Sequence, residues 1–203
     1  MSDAPDLNVS RETLERLKTY EALLRKWTPR INLVARSTLL DLWRRHFVDS
    51  VQIADLAPQE VDHWADLGSG AGFPGLVIAI MALETGTPNR VTLVESDARK
   101  CAFLRTVIRE TGARATVIND RIENIPSLGA DVLSARALAD LTTLLGFVEQ
   151  HMKPDGAAIF PKGETWQKEV EAAQTAWTFA AQLAKSKTET GPVILTITGV
   201  ARV

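Results

Sequence analysis

The spacing of apolar residues changes near residue 60 and divides the chain into two parts. After Ser10, Leu14, Leu17, Leu24 and Trp27 recur at helical spacing until Pro29. This pattern predicts an amphipathic helix that Ser10 caps and Pro29 ends. A second helical pattern runs from about residue 38 to residue 56. We therefore predict a helical extension over residues 1–60.

From residue 63 onward, short apolar runs alternate with helical patterns. A turn at residues 154–156 precedes the fifth run, and residues 192–203 are predicted to close the sheet as a strand or a hairpin. Such alternation is typical of an α/β fold with a doubly wound, mostly parallel sheet. The predicted strands are residues 63–68, 90–96, 115–120, 130–136 and 157–163, and the predicted helices are residues 75–86, 97–112, 138–152 and 164–184.

Composition narrows the class of protein. The chain has 203 residues, of which 45% are hydrophobic and 24% charged, as in an ordinary globular domain. A single cysteine, Cys101, excludes an internal disulfide and a cysteine-rich metal site. No apolar run approaches the ~20 residues that span a bilayer, and the first ten residues are unlike a signal peptide. We expect a cytoplasmic monomer without a membrane segment or a metal.

Charge is distributed unevenly although the net charge is only −2. Residues 11–45 contain nine basic and four acidic side chains, and residues 99–121 contain six basic and two acidic ones. Two basic segments in an acidic chain favour a single positive face for nucleic acid, and the alternative is ordinary solvated helix surface. The candidate contacts in these segments are Arg44, Arg45, Arg99, Lys100 and Arg105.

The chemistry of the chain is concentrated in residues 66–75, which read DLGSGAGFPG. The last three glycines fit the dinucleotide pattern G-x-G-x-x-G. Asp66, Gly68, Gly70 and Gly72 fit the first loop of S-adenosylmethionine-dependent methyltransferases equally well. Both kinds of loop are rich in glycine, because a residue without a Cβ atom lets the ligand approach the backbone closely.

Neighbouring residues favour the methyl donor over a dinucleotide. Pro74 lacks an N–H group at the helix entrance, where a dinucleotide pyrophosphate would be bound. Glu95 ends the second strand and suits the ribose hydroxyls of either cofactor. Asp66 suits a ligand that carries an ammonium and a sulfonium group. We favour S-adenosylmethionine, with a non-catalytic NAD-type binding module as the alternative.

Several longer segments carry a resemblance to a known family. The loop DLGSGAGFPG is followed by VTLVESDARKCAFL, by IEN at residues 122–124 and by LSARAL around Arg136, while WTPRINLVARST and RRHFVDS precede it. Together they resemble the RsmG family, also called glucose-inhibited division protein B, from about residue 27 to residue 163. The resemblance implies a class I, Rossmann-like methyltransferase domain with a seven-stranded sheet over residues 61–203.

Site residues follow from the same resemblance. It implies that Gly68 and Phe73 border the methyl donor and that Ile122 and Glu123 contact its adenine. Arg136 would contact the donor or guide the substrate. The remaining candidates are His46 and Asp49 of a His-x-x-Asp-Ser element, which hold the extension over the cofactor or bond each other, and Lys162 as a phosphate contact.

The family's reaction is methylation of guanine N7 in 16S ribosomal RNA. Guanine N7 has an in-plane lone pair and no proton to lose, so no general base is needed, and the sequence shows no catalytic dyad. Alignment of the acceptor with the methyl group is then the main catalytic demand. We expect 16S rRNA within the small subunit or its assembly intermediate as the partner. A methyltransferase for a small molecule or a protein is the alternative.

Overall fold

A computed structural model describes residues 7–203 of the chain. The N-terminal part contains α1 (Arg11–Ile31), a 3₁₀ helix (Arg36–Asp41), a π-helix (Trp43–Val48) and α2 (Asp49–Ala54). The strands are β1 (His63–Leu67), β2 (Arg90–Val94), β3 (Ala115–Ile118), β4 (Ala130–Ala135), β5 (Met152–Lys162), β6 (Trp177–Lys185) and β7 (Val193–Arg202). The helices between them are α3 (Gly75–Thr85), α4 (Ala98–Thr111), a 3₁₀ turn (Ile122–Asn124), α5 (Leu141–His151) and α6 (Trp166–Ala173).

The sheet has seven strands in the order β3-β2-β1-β4-β5-β7-β6. The first five are parallel, and β7 runs antiparallel between β5 and β6. The predicted doubly wound, mostly parallel sheet is therefore confirmed. The strand order reverses direction between β1 and β4, which opens a crevice at their carboxyl ends, where such sheets bind ligands.

Helix α1 begins as predicted but ends later. The Ser10 hydroxyl accepts a hydrogen bond from the Thr13 amide at 3.2 Å, which confirms the N-cap. Pro29 does not end the helix, because a proline in the last turn removes only one backbone hydrogen bond. The helix stops where Asn32 adopts φ 51° and donates its N–H to the Thr28 carbonyl.

The second predicted helix, over residues 38–56, consists of three short pieces of different helical type. Its apolar stripe nevertheless faces the core, where Leu42, Trp43 and Phe47 are buried and Leu39, Val51 and Ala54 are half-buried.

The prediction of a helix over residues 164–184 is wrong in its second half. Helix α6 ends at Ala173, and residues 177–185 form the edge strand β6. Alanines favour a helix in this segment, but antiparallel pairing with β7 supplies partners for its backbone groups instead. Residues 154–156, predicted as a turn, lie within β5 at an irregularity where the pairing with β4 shifts.

The helical extension shares one apolar core with the sheet. Leu17, Tyr20 and Phe47 from the extension belong to the same buried cluster as Trp64 of β1 and Leu76 of α3. A boundary at residue 60 thus separates two sequence patterns that fold around common side chains. Residues 1–6 of the predicted extension lie outside the described part. Among residues 7–203, no helix combines the length and the apolar character needed to cross a membrane.

Candidate functional site

A cavity of about 430 Å³ lies at the carboxyl ends of β1, β2 and β4. Its volume falls within the roughly 300–1,000 Å³ of small-molecule sites. We call it the first cavity. Its lining comprises Gly68, Gly70, Val94, Glu95, Ser96, Lys100, Asp120, Arg121, Ile122, Glu123, Ala137, Leu138, Ala139, Thr143 and Phe147.

The glycine loop after β1 forms one wall of the first cavity. Gly68, Gly70 and Gly72 have φ values of 62°, 55° and 96°, a region that side chains rarely adopt. A Cβ atom on Gly70 would meet only the Gly68 carbonyl, at 3.7 Å, so the loop leaves free space here. Gly72 does not line the cavity, and a Cβ there would lie 2.4 Å from Leu76. Gly72 thus serves packing, whereas Gly68 and Gly70 form the wall.

Glu95 is placed by backbone groups on two sides. Its Oε2 accepts the Gly70 N–H and its Oε1 accepts the Asp97 N–H, each at 2.8 Å. The side chain lines the cavity although only 8% of the residue is exposed. Each carboxylate oxygen retains a further lone pair, so the fixed group is able to accept bonds from two hydroxyls of a ligand.

Asp66 lies beneath the loop and not at the cavity wall. It is fully buried, its Oδ1 accepts from the Ser134 hydroxyl at 2.7 Å, and its Oδ2 has no partner among the described residues. Burial raises the pKa of this carboxyl to about 6, against the lowering effect of the hydrogen bond from Ser134. The carboxyl group faces the start of α3, since a Cβ on Gly75 would lie 2.8 Å from Oδ2.

The other end of the first cavity is built by the short helix after β3. Ile122 and Glu123, both predicted, line it there. Sequence reasoning missed Asp120 and Arg121, although their place directly after a strand is itself a signal. It also missed Phe147, which comes from the middle of α5 and has no local motif.

A second cavity, of about 400 Å³, adjoins the first. It lies between the extension, the end of β4 and the loop between β6 and β7. Its lining comprises Arg45, His46, Asp49, Arg136, Ala137, Pro161, Lys162, Gly163, Ser186, Thr188, Glu189, Pro192, Val193 and Ile194. The described linings of the two cavities have Ala137 alone in common.

Arg136 is held in the second cavity and does not line the first. Its Nη2 lies 2.9 Å from His46 Nδ1, and its Nη1 lies 3.3 Å from the Arg45 carbonyl and 3.5 Å from Asp49 Oδ2. The guanidinium also stands 5.2 Å above the centre of the Phe73 ring. His46 and Asp49 thus contact Arg136 and not each other. Phe73 is buried beneath them and lines neither cavity.

His46 is a neutral hydrogen-bond acceptor at physiological pH. Burial, followed by the charges of Arg136 and Arg45, lowers the pKa of its imidazole to about 3. Because Nδ1 accepts from Arg136, the ring proton belongs on Nε2, which lies 3.1 Å from the Thr38 hydroxyl. The ring stacks on Phe73 with centroids 5.0 Å apart. A neutral ring fixed on three sides is suited to orienting Arg136.

The remaining basic candidates differ in their availability. Lys162 lines the second cavity, but its ammonium is bound to Glu169 at 2.8 Å and to the Ala139 carbonyl at 3.1 Å. Arg45 lies at the same cavity and pairs with Glu189 at 2.5 Å. Lys100 lines the first cavity. The structure leaves three exposed residues away from both linings: Arg44, Arg99, which pairs with Asp97, and Arg105, which donates to the Val117 carbonyl.

Comparison with known proteins places this geometry in context. Over residues 13–192 the chain matches the family model described as GidB, rRNA small subunit methyltransferase G. A ribosomal RNA small subunit methyltransferase G from Ruegeria sp. (strain TM1040) is 54% identical over 98% of this chain and 96% of its own length. The enzyme of that name from Rhodospirillum centenum is 52% identical over 95% of this chain and 87% of its own length.

Solved structures share the fold at low sequence identity. A TehB-like SAM-dependent methyltransferase from Corynebacterium glutamicum has a TM-score of 0.60 at 13% identity, over 90% of this chain and 99% of that one. M. jannaschii TYW2 in complex with AdoMet has a TM-score of 0.59 at 12% identity, over 84% of this chain and 78% of that one. The fold is that of class I methyltransferases, and the chain belongs to the family of the rRNA small subunit methyltransferase G.

Proposed function

We propose that this chain transfers the methyl group of S-adenosylmethionine to N7 of a guanine in 16S ribosomal RNA. The observation that carries the proposal is the pair of cavities that meet at Ala137, one suited to a nucleoside and the other to a polar planar base. Family membership supplies the reaction and the substrate class.

The first cavity fits the methyl donor better than a dinucleotide. Gly68 and Gly70 would lie against its methionine part, Glu95 would accept its ribose hydroxyls, and Ile122 would pack on its adenine. A dinucleotide needs its pyrophosphate at a helix N-terminus. The start of α3 lies outside the lining, and the buried Asp66 carboxyl faces it. When bound, the donor supplies an electrophilic methyl group on a sulfonium.

The second cavity is suited to the acceptor guanine. Arg136 has N–H groups beyond those given to His46 and Arg45, and arginine commonly donates to O6 of guanine, next to N7. No residue has to remove a proton from N7, and the neutral His46 is already committed to Arg136. The methylated base gains positive charge, which the Asp49 carboxylate at this cavity would stabilise.

The RNA would reach the site through its backbone and one displaced base. The target guanine has to leave its stack to enter a cavity of this kind. Lys100 and Arg45 line the first and the second cavity, and the exposed Arg44 precedes Arg45 in the sequence. We assign phosphate contacts to these three residues. A net charge of −2 disfavours tight binding to naked RNA. We infer that a cytoplasmic monomer acts on the small subunit or its assembly intermediate.

Methyl transfer to small ribosomal subunits that lack the modification tests the proposal directly. With labelled S-adenosylmethionine, the wild-type protein should place the label in 7-methylguanosine of 16S rRNA. Arg136→Lys keeps the positive charge but loses the planar guanidinium with its paired N–H donors. It should strongly lower the rate of methyl transfer, while the affinity for S-adenosylmethionine, measured by calorimetry, should stay unchanged. Arg109→Lys changes an exposed pair with Glu110 and serves as the matched control. Label found in protein, or calorimetric binding of NAD, would contradict the proposal.

A further inference from the structure

The backbone at Ala137 is unusual for its residue type. Among residues 7–203, Asn32 and Ala137 are the non-glycine residues with positive φ, at 51° and 52°. Asn32 ends α1, where asparagine is a common left-handed cap. Ala137 caps no helix, since it follows β4 by two residues and precedes the Asp140 cap of α5. For alanine this conformation is unfavourable, and such residues concentrate at functional sites.

The kink at Ala137 sends its two neighbours into different cavities. In an extended chain, residues two positions apart point to the same side. Here Arg136 lies in the second cavity, while Leu138 lies in the first. Leu138 also covers the glycine loop, because a Cβ on Gly68 would lie 2.6 Å from its Cδ1. The left-handed residue between them breaks the alternation and makes this division geometrically possible.

Ala137 also forms the boundary between the two cavities, because it belongs to both linings and is itself exposed. Glycine would adopt the same φ without strain but would also reach many other conformations. A Cβ atom restricts the residue to fewer alternatives, and each of those moves Arg136 relative to Leu138. Alanine is therefore strained at this position, but it fixes the position of Arg136 relative to Leu138.

We propose that Ala137 is a positioning residue that sets the alignment of the acceptor base in the second cavity with the methyl group in the first. It acts through Arg136 on one side and through the loop cover Leu138 on the other. This inference rests on the proposed function, because it needs an acceptor in the second cavity. Neither the family match nor the named relatives assign a role to this residue.

The test compares Ala137→Gly with Ala137→Ser, which keeps the Cβ atom. Misplacement of reacting groups by ~1 Å costs up to about 10²-fold in rate, so we expect Ala137→Gly to lower kcat about tenfold or more. Its donor Kd should stay within about twofold, and its thermal midpoint should be unchanged or higher because the strain is relieved. Ala137→Ser should retain most of the wild-type kcat. Asn32→Gly relieves the same backbone conformation away from both cavities and should leave kcat unchanged.

Several results would overturn the assignment. These are a wild-type kcat in Ala137→Gly, an equal loss in Ala137→Ser, or a donor affinity that falls by the same factor as kcat. A lower thermal midpoint in Ala137→Gly would instead identify the residue as a stabilising one. If the wild-type protein methylates no subunit at all, the proposed function fails as well. An active wild type with an equally active Ala137→Gly refutes the positioning role alone.

Discussion

The hydroxyl of Tyr20 links the helical extension to the glycine loop, and its removal should cost measurable stability. Tyr20 is fully buried on α1, and its hydroxyl donates to the Ala71 carbonyl at 2.5 Å. Ala71 O has no other hydrogen-bond partner among the described residues. Tyr20→Phe keeps the ring, which stacks on Phe73 at 5.1 Å, and leaves a buried carbonyl unsatisfied. We expect a loss of about 1–3 kcal/mol in the free energy of unfolding.

Thr28→Val is the matched control on the same helix. The Thr28 hydroxyl is also buried and donates to the Leu24 carbonyl at 2.7 Å, but that carbonyl is already an acceptor in the helix ladder. The control should therefore cost less than Tyr20→Phe. Urea unfolding should show a lower midpoint with an unchanged slope. For a chain of this length, the thermal midpoint should fall by about 2–12 °C. A loss no larger than that of Thr28→Val would refute the reasoning.

Three further predictions concern carboxylates. Glu95→Gln should weaken S-adenosylmethionine binding by about tenfold or more in calorimetry, since hydrogen bonds to a charged group are worth about 1.5–3 kcal/mol. Glu149→Gln, at an exposed carboxylate, should leave the donor affinity unchanged, and equal effects of the two substitutions would contradict a role of Glu95 in donor binding. The pKa of Asp66 is about 6 in the folded protein, above its ordinary 3.8, so between these values the folded state binds a proton that the unfolded state has lost. The free energy of unfolding should therefore fall by up to about 3 kcal/mol as the pH rises from about 4 to 6. Urea unfolding of Asp66→Asn should lack that fall, and a profile like the wild type's would exclude this group as its cause. Glu189→Gln removes the partner of Arg45 in an exposed ion pair worth about 0.2–1 kcal/mol. It should lower the KM for small subunits up to about fivefold at low salt and leave it unchanged at high salt. A raised KM would show that Glu189 aids binding.

The sheet could be predicted wherever burial leaves a pattern in the sequence. All five residues of β1 are buried, and the apolar Trp64, Ala65 and Leu67 directly before a glycine loop are a strong signal. Strand β6 has the opposite character, because most of its residues are exposed or half-buried at the edge of the sheet. Such a strand has neither an apolar run nor a strict alternation to read. Its helical prediction failed because alanine propensity was then the remaining guide.

The candidate site could be predicted in part, for a related reason. Glu95 and Arg136 follow strands directly, and Ile122 comes four residues after the end of β3. The carboxyl ends of parallel strands meet at one edge of a sheet. The contact between Arg136 and His46 joins residues 90 positions apart, and no local pattern encodes it. The loop over residues 186–192 carries no recognisable motif, so its place beside the second cavity was not foreseen.

Apart from residues 136–137, the two cavities draw on different stretches of the chain. Every residue of the first comes from positions 68–147, whereas the second needs positions 45–49, 136–137, 161–163 and 186–194. Under the proposed function, exchanges in the β6–β7 loop should change acceptance of the RNA while leaving donor binding intact. Replacing the loop over residues 186–192 should therefore change the choice of RNA without changing the choice of methyl donor.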